Sequence, residues 1–105
     1  MPEIVLERVG AEHLDVLARL SQLERHDLSE FRGTLPGTDG LFPDPRLRLY
    51  VEEAGREALL IRADGRLVGF ALVRPHETGG RSIGEFFVVR AARGLGVGRA
   101  AALAL

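Results

Sequence analysis

The segment Ser82–Leu105, SIGEFFVVRAARGLGVGRAAALAL, limits the fold more than any other part of the chain. Ile83 to Val89 is an apolar run rich in β-branched and aromatic residues and reads as a buried strand. Arg90-Ala91-Ala92-Arg93 follows, then Gly94-Leu95-Gly96-Val97-Gly98, then an alanine- and leucine-rich run of helical composition. A strand that meets a helix through glycines gathers free N–H groups at one point. The first helical amides have no intrahelical partner, and the helix dipole favours an anion beside them. Glycine removes the Cβ that would hold a ligand off the backbone. The segment predicts a phosphate-binding turn, with a plain strand–helix connection as the alternative.

Three phosphate motifs can be compared with it. A P-loop requires Gly-x-x-x-x-Gly-Lys-Ser/Thr, and no lysine follows these glycines. Gly96-Val97-Gly98-Arg99-Ala100-Ala101 matches the dinucleotide pattern Gly-x-Gly-x-x-Gly/Ala. That pattern opens a βαβ unit early in a domain and needs an acidic residue about 20 positions later; the sequence reaches Leu105 before either condition is met. The third motif fits better. Arg93-x-x-Gly96-x-Gly98 resembles the Arg/Gln-x-x-Gly-x-Gly/Ala signature of the GNAT acyltransferase superfamily, which binds the pyrophosphate of acetyl-CoA. Val88 stands five residues before Arg93, where that superfamily places the last core residue of its central strand. With Glu85-Phe86-Phe87-Val88-Val89-Arg90 and His26-Asp27-Leu28-Ser29-Glu30-Phe31, the chain is similar to a bacterial group of GNAT acetyltransferases.

The resemblance implies a layered α/β fold: a mixed, mostly antiparallel sheet flanked by helices, in the order β-α-α-β-β-β-α. Residues 1–105 would form a single domain. Acetyl-CoA would be the cosubstrate, with no metal. Arg93, Gly94, Leu95, Gly96, Val97, Gly98 and Arg99 match the pyrophosphate cradle. Phe86, Phe87 and Val88 match the positions that pair with pantetheine as if it were an added strand. GNAT domains continue with a fifth strand, a further helix and a closing hairpin, about 40 residues at ordinary element and loop lengths. The final helix ends on an apolar run without a glycine cap or a basic last turn, so the chain is expected to be incomplete at its C-terminus.

Bulk properties narrow the class. The net charge of −1 argues against nucleic acid or an anionic membrane as partner. Without cysteine there is no disulfide, thiolate metal site or cysteine nucleophile, which fits a reducing compartment. No apolar run approaches 18 residues and no signal segment opens the chain, so a cytoplasmic protein is expected. A homodimer is left open.

Upstream, Ile4–Val9 reads as a strand broken by Gly10, and Ala11 to about Arg25 as an amphipathic helix. His26–Phe31 is polar for a segment beside a core helix; it is either a solvated helix end or a pocket wall, with His26, Asp27 and Glu30 as acceptor contacts. His13, His26 and His76 stand too far apart for a metal pair. Gly33–Pro45 is a loop, and Asp44-Pro45 is expected to cap a short helix with Leu47, Tyr50, Val51 and Ala54 on its apolar face. Ala58–Arg62 and Arg66–Val73 read as strands joined by a tight turn at Asp64-Gly65.

The family reaction passes an acyl group from a thioester to an amine, here on a small molecule or peptide. An aliphatic amine, with a pKa near ~10.4, is protonated at neutral pH and needs a base. Glu85 is the candidate: strand parity sets it with Ile83, Phe87 and Val89 on an apolar face, where burial raises a carboxyl pKa. Tyr50, the only tyrosine, is expected in the core or the pocket wall. A non-catalytic acyl-CoA-binding or interaction fragment is the alternative function.

Overall fold

A computed structural model describes residues 2–105. The elements are β1 (Ile4–Val9), a 3-10 turn (Ala11–His13), α1 (Leu14–Arg32), α2 (Leu49–Glu52), β2 (Glu57–Ala63), β3 (Arg66–Pro75), β4 (Arg81–Val88), a second 3-10 turn (Arg90–Ala92) and α3 (Val97–Ala104). The four strands form one antiparallel sheet in the order β1-β2-β3-β4. The β-α-α-β-β-β-α order expected from the sequence is the order observed.

The β2–β3 turn explains the simplest part of this topology. Asp64 and Gly65 both have positive φ, 50° and 78°. That pair of conformations matches the twist of two antiparallel strands, and Asp-Gly tolerates it. Glu3 braces the turn: its N–H donates to Asp64 Oδ1 and its carbonyl accepts from the Asp64 N–H, each at 2.8 Å.

Two cores lie on opposite faces of the sheet. Leu17 and Leu20 of α1 and Tyr50 of α2 pack on Leu60, Phe70, Leu72 and Phe87. On the other face Val97 and Ala101 of α3 pack on Ile61, Val68 and Val88. The central strands therefore read as continuous apolar runs rather than alternating ones. Val68 changes face through a bulge. Ile61 opposes Gly69 and Arg62 opposes Leu67, which leaves Val68 as the extra residue. Next to it, β3 and β4 approach so closely that a Cβ on Gly69 would collide with the Phe87 carbonyl.

Three elements differ from the sequence-based expectation. Helix α1 runs on to Arg32, so His26–Phe31 are its last turns rather than a separate segment. Its stop is Gly33, at φ 69°, whose N–H donates to the Ser29 carbonyl at 2.9 Å. Helix α2 has only four residues and no side-chain cap, because the Asp44 carboxylate turns instead to Ser21 and Arg25 of α1. Strand β4 is buried only at Phe87 and Val88; Ile83 is 46% exposed, since β4 is the sheet edge among the described residues and only its end meets the two cores.

Candidate functional site

The glycine turn is anchored at both ends. Before it, the Val89 N–H bonds to the Val68 carbonyl at 2.8 Å and Ala92 is buried; after it, Val97 is buried beneath α3. Between these anchors Gly94 and Gly96 take φ values of 81° and 78°, conformations that residues with a Cβ rarely adopt. Within the described residues, no N–H group from Gly94 to Arg99 makes a well-aligned hydrogen bond; the bond that starts α3 runs from Ala100 N–H to the Gly96 carbonyl at 3.0 Å. Leu95 and Arg99 are exposed, and Gly98 lies against the ring edge of Phe86. The turn is thus a run of unpaired donors at the positive end of a helix, with a guanidinium beside it. An anion is the chemistry that such a run accepts.

Arg93 has a different geometry from its neighbours. Its Nε donates to the Val88 carbonyl at 2.8 Å, a terminal nitrogen reaches Asp27 at 3.0 Å, and the group lies 5.6 Å from the centre of the Phe87 ring. Arg90 reaches the other Asp27 oxygen at 3.0 Å. The hydrogen bond from Arg93, with the bond and charge of Arg90, holds the Asp27 carboxyl below its usual range. Both arginines therefore tie the turn to β4 and α1.

The second assembly is built from side chains. Leu72 opposes Glu85 and Val73 opposes Ile83, so Gly84 is the extra residue of a second bulge. The bulge breaks the parity on which Glu85 was expected to share an apolar face with Ile83. Its surroundings are charged instead. Arg25 donates to Glu85 at 3.1 Å and to Asp44 at 2.8 Å, and Asp44 also accepts from the Ser21 hydroxyl. Glu24, 8% exposed, sits against Glu85. Burial first, then the hydrogen bond and charge of Glu85, push the Glu24 carboxyl up to about 8, against the pull of Arg25. A carboxyl raised in this way keeps its proton to higher pH than an ordinary glutamate and can then donate to Glu85. One oxygen of each has no other partner within the protein, and a proton held between the two carboxyls relieves that deficit.

Glu85 and Arg25 open onto a pocket of about 280 Å3, whose wall includes Tyr50, Gly84, Arg46 and Arg74. The Tyr50 hydroxyl rests directly over Gly84, where any Cβ would strike it. Of the residues expected to meet an acceptor, Tyr50 alone shares this pocket. His26 is exposed with its ring 6.3 Å from that of Phe42, Asp27 is committed to the two arginines, and Glu30 is exposed near the end of α1. A larger cleft of about 690 Å3 lies between α1 and the loop before α2, walled by Leu14, Ala18, Leu41 and Phe42. It contains no Glu85, and neither it nor the smaller, charged pocket includes a residue of the glycine turn. No described helix is long and apolar enough to cross a membrane.

Sequence reasoning missed Glu24, Arg25, Asp44, Arg46 and Arg74. One signal existed for Glu24: it continues the buried stripe Leu17, Leu20, Ser21 at helical spacing.

Residues 17–105 match the model of a family described as the Acetyltransferase (GNAT) family. No curated protein matches by sequence. Solved structures do match in fold. A ribosomal-protein-alanine N-acetyltransferase from Brucella melitensis biovar Abortus 2308 is 23% identical, with a TM-score of 0.62 over 97% of this chain and 69% of that one. AAC(6')-Iy, in complex with the bisubstrate analog CoA-S-monomethyl-acetylneamine, is 17% identical, with a TM-score of 0.63 over 97% of this chain and 68% of that one. An aminoglycoside acetyltransferase from an uncultured soil metagenomic sample, in complex with sisomicin, is 14% identical, with a TM-score of 0.63 over 96% of this chain and 66% of that one.

Proposed function

This chain belongs to the acetyltransferase (GNAT) family, and from that premise we propose that it moves an acetyl group from acetyl-CoA to an amine of a small molecule or peptide. The observation that carries the proposal is the unpaired run of N–H groups from Gly94 to Arg99. Its donors fit a pyrophosphate: several charge-assisted hydrogen bonds converge without a side chain between ligand and backbone. Arg99, exposed beside it, adds a counter-charge. Arg93 shapes the turn from behind.

The outer edge of β4, unpaired among the described residues, offers the backbone groups of Phe86, Phe87 and Val88 to the pantetheine arm. When bound, acetyl-CoA supplies the thioester carbonyl that the amine attacks. One of these N–H groups can donate to the carbonyl oxygen as charge grows on it. Glu85 receives the proton that the ammonium group must lose. Arg25 holds the Glu85 carboxylate in place, and Glu24 donates to it from behind. No observation favours the non-catalytic alternative.

Calorimetric titration with coenzyme A should give saturable heat, and its absence would overturn the proposal. In a thiol-release assay over a panel of amines, Glu85→Gln should lower kcat by about a hundredfold. An unchanged rate across the pH range removes Glu85 from the mechanism.

A further inference from the structure

We infer that the acceptor carries an anionic group, a carboxylate or a phosphate, beside the amine that is acetylated. The inference deepens the acetyl-transfer reading and rests on Glu85 acting on the amine. Its ground is the charge around the 280 Å3 pocket, which is walled by three arginines, Arg25, Arg46 and Arg74, and by one carboxylate, Glu85. Arg25 is already matched, through Asp44 at 2.8 Å and Glu85 at 3.1 Å. Glu24 is buried and does not line the pocket. Arg46 and Arg74 are exposed and form no ion pair among the described residues. Two guanidinium groups therefore remain uncompensated on the wall of the pocket that Glu85 enters.

A plain amine brings a further positive charge into that field, and a polyamine brings several. An amine with its own anion resolves the conflict. Its ammonium group meets Glu85, and its carboxylate or phosphate meets guanidinium forks whose planar donors suit two-point contact. The size agrees. At roughly 30 Å3 per water, the pocket has the room of about nine waters, enough for a ligand of amino-acid dimensions.

The test is calorimetric titration of the chain with amino acids, each beside its own C-terminal amide, with phosphoethanolamine beside ethanolamine, and with spermidine. The acids, or phosphoethanolamine, should bind at least tenfold more tightly than the counterparts that lack the anion; which of the two does so identifies the anion. In the double variant Arg46→Glu, Arg74→Glu, at exposed positions, the preference should shift to spermidine while the melting temperature stays within a few degrees. If amides or spermidine bind the unaltered chain as well as the acids do, or if the acids give no heat, the inference is overturned. Anion preference with no heat from coenzyme A would keep this pocket and remove the acetyl-transfer reading. Coenzyme A binding without anion preference would do the reverse.

Discussion

The two parts of the candidate site are built in opposite ways. The glycine turn works with backbone alone: its donors are contiguous from Gly94 to Arg99, lie at the surface and have no internal partner. The Glu24–Arg25–Asp44–Glu85 assembly works with side chains brought from three segments, part-buried and bonded to one another. The turn keeps its hydrogen-bonding capacity for a ligand. The side-chain assembly spends most of its capacity on itself and leaves only Glu85 and one face of Arg25 to the pocket. Damage to the first should therefore be felt in binding, and damage to the second in folding.

The largest effect that would sharpen this contrast belongs to Gly96→Val. A β-branched residue cannot hold φ 78° without strain, so the donors would lose their alignment. Losing one or two charge-assisted bonds corresponds to roughly a hundredfold weaker coenzyme A binding by calorimetry, with a small change in melting temperature. Equal losses in binding and stability would break the comparison. Arg25→Leu is the converse case. It leaves Asp44 and Glu85 without their shared cation, and half-buried pairs of this kind should cost about 2 kcal/mol, read as a melting temperature lower by roughly 10 °C. Coenzyme A affinity should change less than about threefold.

A further test of the side-chain assembly is one of pH. Glu24 has a folded pKa raised to about 8 from an ordinary value of 4.5. The folded protein therefore holds a proton that the unfolded chain has released. Stability is highest below the lower value, declines as pH rises between the two, and levels off above the upper one. In Glu24→Gln that decline should be absent, as thermal melts at pH 5 and pH 8 would show. A parallel decline in both proteins would mean that Glu24 is not the titrating group.

The same contrast explains what could be read before the structure. The turn is a local pattern, so the run from Ile83 to Leu105 showed its strand, glycine turn and helix directly, and Asp64-Gly65 announced its hairpin in the same way. Arg25 and Glu85 are separated by 60 positions and Arg25 and Asp44 by 19; nothing local relates them. The bulge at Gly84 also escapes a parity argument, since a single extra residue reassigns the faces on one side of it. The end of α1 was set near Arg25, with His26–Phe31 read as a solvated helix end or a pocket wall, although Arg32-Gly33 is a basic last turn followed by a glycine stop.

Glu24 and Asp27 lie three positions apart on α1, about one turn and roughly 4.5 Å of rise. One meets the carboxyl of Glu85; the other grips Arg90 and Arg93 at the root of the glycine turn. A single coil of helix thus acts as a caliper, setting how far the glycine turn stands from the carboxyl of Glu85. A residue inserted between them would rotate one jaw by about 100° and uncouple the position of the glycine turn from that of Glu85.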